Sequence, residues 1–372
     1  MKIFSLVPPR KQIHRKPYQQ AVALGLKMHM VSDLMKKILP NPIKKWGLLS
    51  LLIISLASCS SYQPLDQADL YPAPLTPKNN PGVKAAFLGN TTILISDGKT
   101  NLLVDGFLSR PSALKTLFGF IAPEPKVISR ELAFAGITKL DAVLVGHAHH
   151  DHALDAPEVS RQMHDAPVMG SKSYSFIHEG AGGKMDKDHL IIVPRDGNCR
   201  HFGDFTVTFL RSEHVSSHTF PQRVVEGEIT KPLKTPARFS RFNCGEVYVI
   251  HIAHPDGTVV VTTTAGARAG QLKGMKADVV FLGVGLLAKE TKDKQDSYWQ
   301  ETVGTVHPHT VIPVHWDAFT RKLSNGLKPT PCFADNVKGA MAIVQTKAKK
   351  QGCTVRLMNL RDSLLLKGGK LQ

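Results

Sequence analysis

Within nine residues, 147 to 155, the chain places four of its seventeen histidines and two aspartates, in "HAHHDHALD". Neutral imidazole nitrogens and carboxylate oxygens suit zinc and similar divalent ions. His147, His149, Asp151 and His152 form the pattern H-x-H-x-D-H. Six ligand-capable side chains exceed what one tetrahedral ion uses while keeping a position open, so the cluster has donors enough for one ion or two adjacent ones. A bound divalent ion lowers the pKa of water from 15.7 toward about 7. The implied chemistry is hydrolysis by a metal-activated hydroxide. No G-x-S-x-G segment offers a serine nucleophile instead.

A His-rich solvated loop would look similar, but the element in front of the cluster argues against it. "LDAVLVG", residues 140 to 146, is an apolar, partly β-branched run stopped by Gly146. It reads as a buried strand ending at a turn, and a loop leaving a strand end can fold several side chains onto one point. Two later histidines occupy the same kind of position. His214 closes "FTVTFLRSEH" and His315 closes "TVIPVH". Asp105 closes "NLLVD" in the same way.

The surrounding segments supply strands and helices in alternating blocks. Residues 83 to 105 hold three apolar segments split by the turn signals "GN" and "DGKT". Residues 155 to 164 and 171 to 179 read as helices, with Asp155 and Ser171 as N-caps. "EVYVIHIAHPDGTVVVTTT" reads as a hairpin with "HPDG" at its tip. "ADVVFLGVG" and "HTVIPVHWD" are buried strands, with helical spacing in "DSYWQETVGTV" between them. An amphipathic helix over 333 to 350 and the strands "TVRLMN" and "SLLLK" close the chain.

H-x-H-x-D-H and the later strand-end histidines resemble the metallo-β-lactamase superfamily of metal-dependent hydrolases. The longer form H-x-H-x-D-H-x-x-D, ending at Asp155, resembles the branch that includes ascorbate-phosphate lactonases and the phospholipase D acting on N-acylphosphatidylethanolamine. "VIPVHWD" is similar to the superfamily's last-histidine segment. The resemblance implies an α/β fold, the four-layer αβ/βα sandwich. It implies one metal on His147, His149 and His214 and a second on Asp151, His152 and His315. Asp105 would orient a ligand histidine from behind. Asp151 would also orient the hydroxide, which makes it the catalytic residue. The implied cofactor is one or two Zn²⁺ ions, with Mn²⁺ or Fe²⁺ as alternatives.

One position departs from that pattern. Many members carry a metal-bridging Asp in G-D-x-G, whereas this chain has "TTAG", residues 263 to 266, with Thr264 at the Asp position. A neutral hydroxyl costs the site one negative charge, which puts metal count and rate in question. Among the remaining histidines, His150 is expected to point away from the metals. His218 is a candidate for the substrate cleft, and His251, His254, His307 and His309 read as ordinary core or surface residues. Tyr298 and Trp299 are expected to pack in the core.

The N-terminal 58 residues differ in character. From Met35, basic residues precede the apolar run "GLLSLLIISLA", which is too short to span a bilayer. It ends in "LASC", similar to a bacterial lipobox, which implies cleavage before Cys59 and its acylation. Residues 1 to 34 fit no part of such a signal, so a start at Met28, Met30 or Met35 is expected. Residues 59 to 82, rich in Pro, Ser and Asn, read as a flexible tether, and 83 to 372 as the hydrolase domain. The expected location is the bacterial cell envelope, lipid-anchored to the outer membrane and facing the periplasm. Labelled palmitate taken up by the wild-type chain and lost in Cys59→Ala is the expected result; a wild-type chain that takes up none contradicts it.

Charge narrows the partners. The chain has 47 basic and 30 acidic side chains, but ten Lys/Arg and one Asp lie before Cys59. The remainder carries 37 against 29, a net charge near +8. The expected export and this moderate charge argue against nucleic acid as a partner; anionic lipid headgroups and no partner at all, only a generally soluble basic surface, both fit the charge. Cys199, Cys244, Cys332 and Cys353 lack C-x-x-C spacing, and both disulfides and free thiols remain open. The leading reading is a metal-dependent hydrolase acting on a phosphodiester or lactone-like ester, with a lipid headgroup as one form. The alternatives are a metal-dependent nuclease and a non-catalytic metal- or lipid-binding lipoprotein with a degenerate site.

Overall fold

The computed structural model describes residues 82–216 and 226–372, together with the strand Tyr71–Pro72. They belong to one compact unit running from Tyr62 to Gln372. The expected leader, Cys59 and His218 lie outside the described residues.

Two eight-stranded mixed sheets carry the fold. The first contains β2 (Val83–Phe87), β3 (Ile93–Ser96), β4 (Asn101–Val104), β5 (Ala142–Leu144), β6 (Val168–Gly170) and β7 (Leu190–Ile192). Its other edge is closed by β15 (Ser363–Lys367) and β16 (Lys370–Leu371), in the order β16-β15-β2-β3-β4-β5-β6-β7. The second contains β8 (Gly197–Phe202), β9 (Phe205–Ser212), β10 (Val247–His254), β11 (Gly257–Thr262), β12 (Val279–Gly283), β13 (Thr310–Val314) and β14 (Thr354–Leu357). Tyr71–Pro72, inside the expected tether, forms β1 and pairs in parallel with β14.

Alternation along single strands makes the layers. In β4, Leu102 and Val104 enter the cluster between the sheets, while Leu103 enters the cluster under the outer helices. In β5, Ala142 and Leu144 face inward and Val143 faces outward. Successive side chains of a strand point to opposite faces, so a strand buried on both faces must be covered by a sheet on one side and helices on the other. The expected four-layer sandwich is what the chain forms.

The helices are α1 (Ala113–Phe118), α2 (Pro125–Phe134), α3 (His150–Ala153), α4 (Ala156–Gln162), α5 (Lys172–Gly180), α6 (Lys292–Trp299) and α7 (Val337–Gln351). Ser171 caps α5 as expected, its side chain accepting the Tyr174 N–H. Asp155 takes the expected N-cap position of α4, but its side chain makes no cap hydrogen bond. Its carboxylate instead accepts the Leu108 and Ser109 N–H groups and the Ser109 hydroxyl, so a carboxylate that sequence would spend on its own helix ties down a distant loop. α7 starts later than expected because Asn336 caps it through the Gly339 N–H. Tyr298 is buried, donates to the Gly283 carbonyl and bonds the Thr262 hydroxyl, which makes it core. Cys199, Cys244, Cys332 and Cys353 are free thiols. No helix among the described residues is long and apolar enough to cross a membrane.

Candidate metal centre

The strand-end positions converge. β11, β12 and β13 run parallel and β9 lies two antiparallel steps from β11, so their C-terminal ends share one edge of the second sheet. β4 and β5 run parallel in the first sheet. Asp105 and the H-x-H-x-D-H loop leave its strand ends, and His214, Thr264 and His315 leave those of the second sheet. Gly146 permits a close approach, since a Cβ there would lie 2.5 Å from the Thr263 side chain.

His147, His149 and His214 bring donor atoms together, and Asp151, His152 and His315 form a second group. In the first, His147 Nε2 lies 3.2 Å from His149 Nδ1. The far nitrogens are already engaged. His147 Nδ1 meets the Thr263 hydroxyl at 3.2 Å, and His214 Nδ1 donates to the Val215 carbonyl at 2.8 Å. A carbonyl can only accept, so the His214 ring keeps Nε2 as the acceptor nitrogen that metal ligation requires. Burial first, and then the neighbouring imidazoles, holds His147 and His214 well below the usual histidine range. They are neutral, the form that binds metal.

The second group is built around a carboxylate. Asp151 Oδ2 lies 3.4 Å from His152 Nε2 and 3.2 Å from His315 Nε2. His152 Nδ1 meets Asp105 Oδ2 at 2.7 Å and the Thr91 hydroxyl at 2.9 Å. Burial disfavours the His152 imidazolium, but Asp151 and Asp105 outweigh it and push the group up to about 10. Burial likewise opposes the Asp151 carboxylate, while His152 and His315 hold it well below the usual carboxylate range. The donor set of one carboxylate and two imidazoles fits a divalent ion.

A second tier of residues escaped the sequence reading. Asn90 sits between Asp151 and His315: its side-chain N–H donates to the Asp151 backbone carbonyl, and its own backbone carbonyl accepts the His315 N–H. Asp317 accepts the Asn90 N–H at 2.7 Å and pairs with Arg110 at 2.6 Å, both side chains being at most 1 % exposed. Asn90, Asp105, Arg110 and His315 all hold left-handed φ angles, from 47° to 60°. Such conformations cost about 1 kcal/mol or more in non-glycine residues and persist where surrounding contacts over-determine them. "GN" carries a turn signal and "VHWD" a strand end, but neither announces this network.

His150 joins neither donor group. It lies edge-on among Phe107, Phe239, Phe242 and Phe319, lines the cleft, and has an unpartnered Nε2. The cleft over the two groups encloses about 280 Å³. Leu117, Phe239, Phe242, Leu286, Phe319 and Phe333 supply apolar walls, and Thr264 reaches its floor. The Thr264 hydroxyl accepts the Val215 N–H at 3.2 Å, so it supplies no charge there.

Residues 85–269 match the model of the family described as the metallo-beta-lactamase superfamily. A protein from Anaeromyxobacter dehalogenans described as a UPF0173 metal-dependent hydrolase is 26% identical over 227 residues, 61% of this chain and 72% of that protein. Among solved structures, the metallo hydrolase Igni18 from Ignicoccus hospitalis is 14% identical, with a TM-score of 0.46, over 76% of this chain and 97% of the other. The isothiocyanate hydrolase from Delia radicum gut bacteria is 15% identical, with a TM-score of 0.48, over 76% and 99%. With the family match spanning the H-x-H-x-D-H loop and His214, and the two sheets placing His315 beside them, the chain is a metal-dependent hydrolase of the metallo-beta-lactamase superfamily.

Proposed function

We propose that the cleft hydrolyses a phosphodiester or lactone-like ester carrying an apolar group, using two zinc ions. The carrying observation is the pair of donor groups at the floor of one apolar-walled cleft. His147, His149 and His214 would hold one ion, and Asp151, His152 and His315 the other. Such ions lower the pKa of water and polarise a carbonyl or phosphoryl oxygen. The chain's own groups do the rest. Asp151, fixed by Asn90 and flanked by two imidazoles, accepts a hydrogen bond from the attacking water and orients it. Asp105 holds His152 in one tautomer. The phenyl walls exclude bulk water, which strengthens the electrostatics within. His150 Nε2 offers the substrate a polar contact inside the apolar wall.

The surroundings favour a lipid ester over a polynucleotide. Leu114, Leu117 and Phe118 of α1, with Phe120 and Phe333, are large exposed apolar residues, and Leu117 and Phe333 also line the cleft. Exposed apolar surface at a cleft mouth suits an acyl chain rather than a phosphate backbone. The test is turnover by the zinc-loaded and the chelator-stripped protein across phosphodiesters, lactones, phospholipids and single-stranded DNA. Metal-dependent hydrolysis of an acyl-bearing ester, exceeding that of DNA, is expected. A protein that binds two metals per chain and hydrolyses none of these would be a non-catalytic binder.

The neutral Thr264 sets a further expectation. Two ions about 3.5 to 4 Å apart repel strongly, and in this reading Asp151 is the sole carboxylate ligand. The ion on Asp151, His152 and His315 should leave first during chelator titration. Thr264→Asp should retain it to higher chelator concentration, and Thr264→Ala should change little. Metal content per chain reads this directly, and equal retention by wild type and Thr264→Asp would remove the charge argument.

A further inference from the structure

Cys244 is buried at 1 % exposure and belongs to neither of the two apolar clusters, although free cysteines usually pack as small hydrophobes. Its Sγ lies instead with the donor nitrogens of His147, His149 and His214, all four atoms within 4.8 Å of one another. The placement is enforced by backbone. The Cys244 carbonyl accepts the Ala148 N–H at 3.0 Å, and the Tyr248 N–H donates to the Gly146 carbonyl at 3.0 Å. These two bonds strap the segment entering β10 onto the H-x-H loop, on either side of His147.

We infer that Cys244 is a fourth protein ligand of the ion held by His147, His149 and His214, giving three nitrogens and one sulfur. The inference rests on that ligand reading and adds to it. Around a tetrahedral ion with metal–nitrogen bonds near 2.0 to 2.1 Å and a metal–sulfur bond near 2.3 Å, nitrogen and sulfur stand ~3.5 Å apart. His147 Nε2 and His149 Nδ1 are already 3.2 Å apart. No pair among the four atoms is more than 4.8 Å apart, so closing the thiol onto the same centre takes a contraction of at most ~1.3 Å. On ligation the S–H bond breaks, the electron pair goes to the ion and the proton leaves to solvent.

The assignment answers the charge deficit at Thr264. A thiolate at the first ion supplies the negative charge that Thr264 does not. It also biases the first ion toward thiophilic metals such as zinc over manganese. A closed set of four ligands leaves this ion no open position unless it expands to five, as zinc does in some transition states. The ion on Asp151, His152 and His315 is then the one exposed to substrate.

Cobalt(II) substitution of the full chain tests this without measuring activity. With one equivalent bound, visible d–d bands report occupancy and a near-ultraviolet sulfur-to-cobalt charge-transfer band reports thiolate ligation. The expected result is both in the wild type and in Cys332→Ala, loss of the charge-transfer band alone in Cys244→Ala, and loss of both in His147→Ala. Zinc-edge X-ray absorption of the wild type at one equivalent should show a sulfur at about 2.3 Å, which decides the matter if Cys244→Ala does not fold. Cobalt bound through the histidines with no sulfur signal overturns the Cys244 assignment and leaves the ligand reading standing. No cobalt bound, or binding indifferent to His147→Ala, overturns both.

Discussion

Asp151→Asn is expected to lower kcat/KM for the best ester substrate by at least about 10³-fold, or ~4 kcal/mol at 1.36 kcal/mol per tenfold. The substitution is nearly isosteric, and the residue is buried between His152 and His315, so the fold should persist. What disappears is the negative charge. The carboxylate is held ionised by the two imidazoles, and an amide can neither neutralise a cation nor receive a proton from water. Metal analysis should show the ion on His152 and His315 lost while the three-histidine ion remains. Wild-type turnover with both ions present would mean that neither the metal nor the water depends on Asp151.

Asp317→Ala is expected to destabilise the domain by about 3–5 kcal/mol, because it strands the fully buried Arg110 guanidinium. Arg110 Nε and Nη2 already lack partners, so Asp317 is its main compensation. Thermal unfolding should show a fall in Tm on the order of 10 °C. The change also removes the acceptor of the Asn90 N–H, and Asn90 positions both Asp151 and His315. Replacing the pair together, Arg110→Met with Asp317→Leu, should recover part of the stability, since a buried ion pair exchanges well for apolar residues. It should not restore activity, because the Asn90 N–H stays unheld. A single Asp317→Ala variant as stable as wild type would show that the pair contributes nothing net.

Much of the fold was legible because its signals are local. The runs ending at Gly146, Ser212 and Val314 are apolar stretches stopped by a turn or a polar residue, and they became β5, β9 and β13. α1, α2, β6 and β7 carried no such signal. β6 and β7 have three residues each, too few for a period of two to register. In α2 the buried face contains Glu131, paired with Arg361 at 2.7 Å, which interrupts the apolar spacing.

The candidate site divides in the same way. By itself the sequence determined which donor types exist and that they follow strand ends, because residue chemistry and the end of an apolar run are both written within ten residues. It also showed the missing carboxylate at Thr264. The tertiary structure alone decided which nitrogen of each imidazole faces the centre, because Thr263 and the Val215 carbonyl reach His147 and His214 only after the sheets stack. It alone joined Arg110 to Asp317 across 207 positions and carried Cys244 to the three histidines. Periodicity reports which face of a strand is buried, not what lies against it. That is fixed by sheet order and by the close approach of two layers at a glycine such as Gly146.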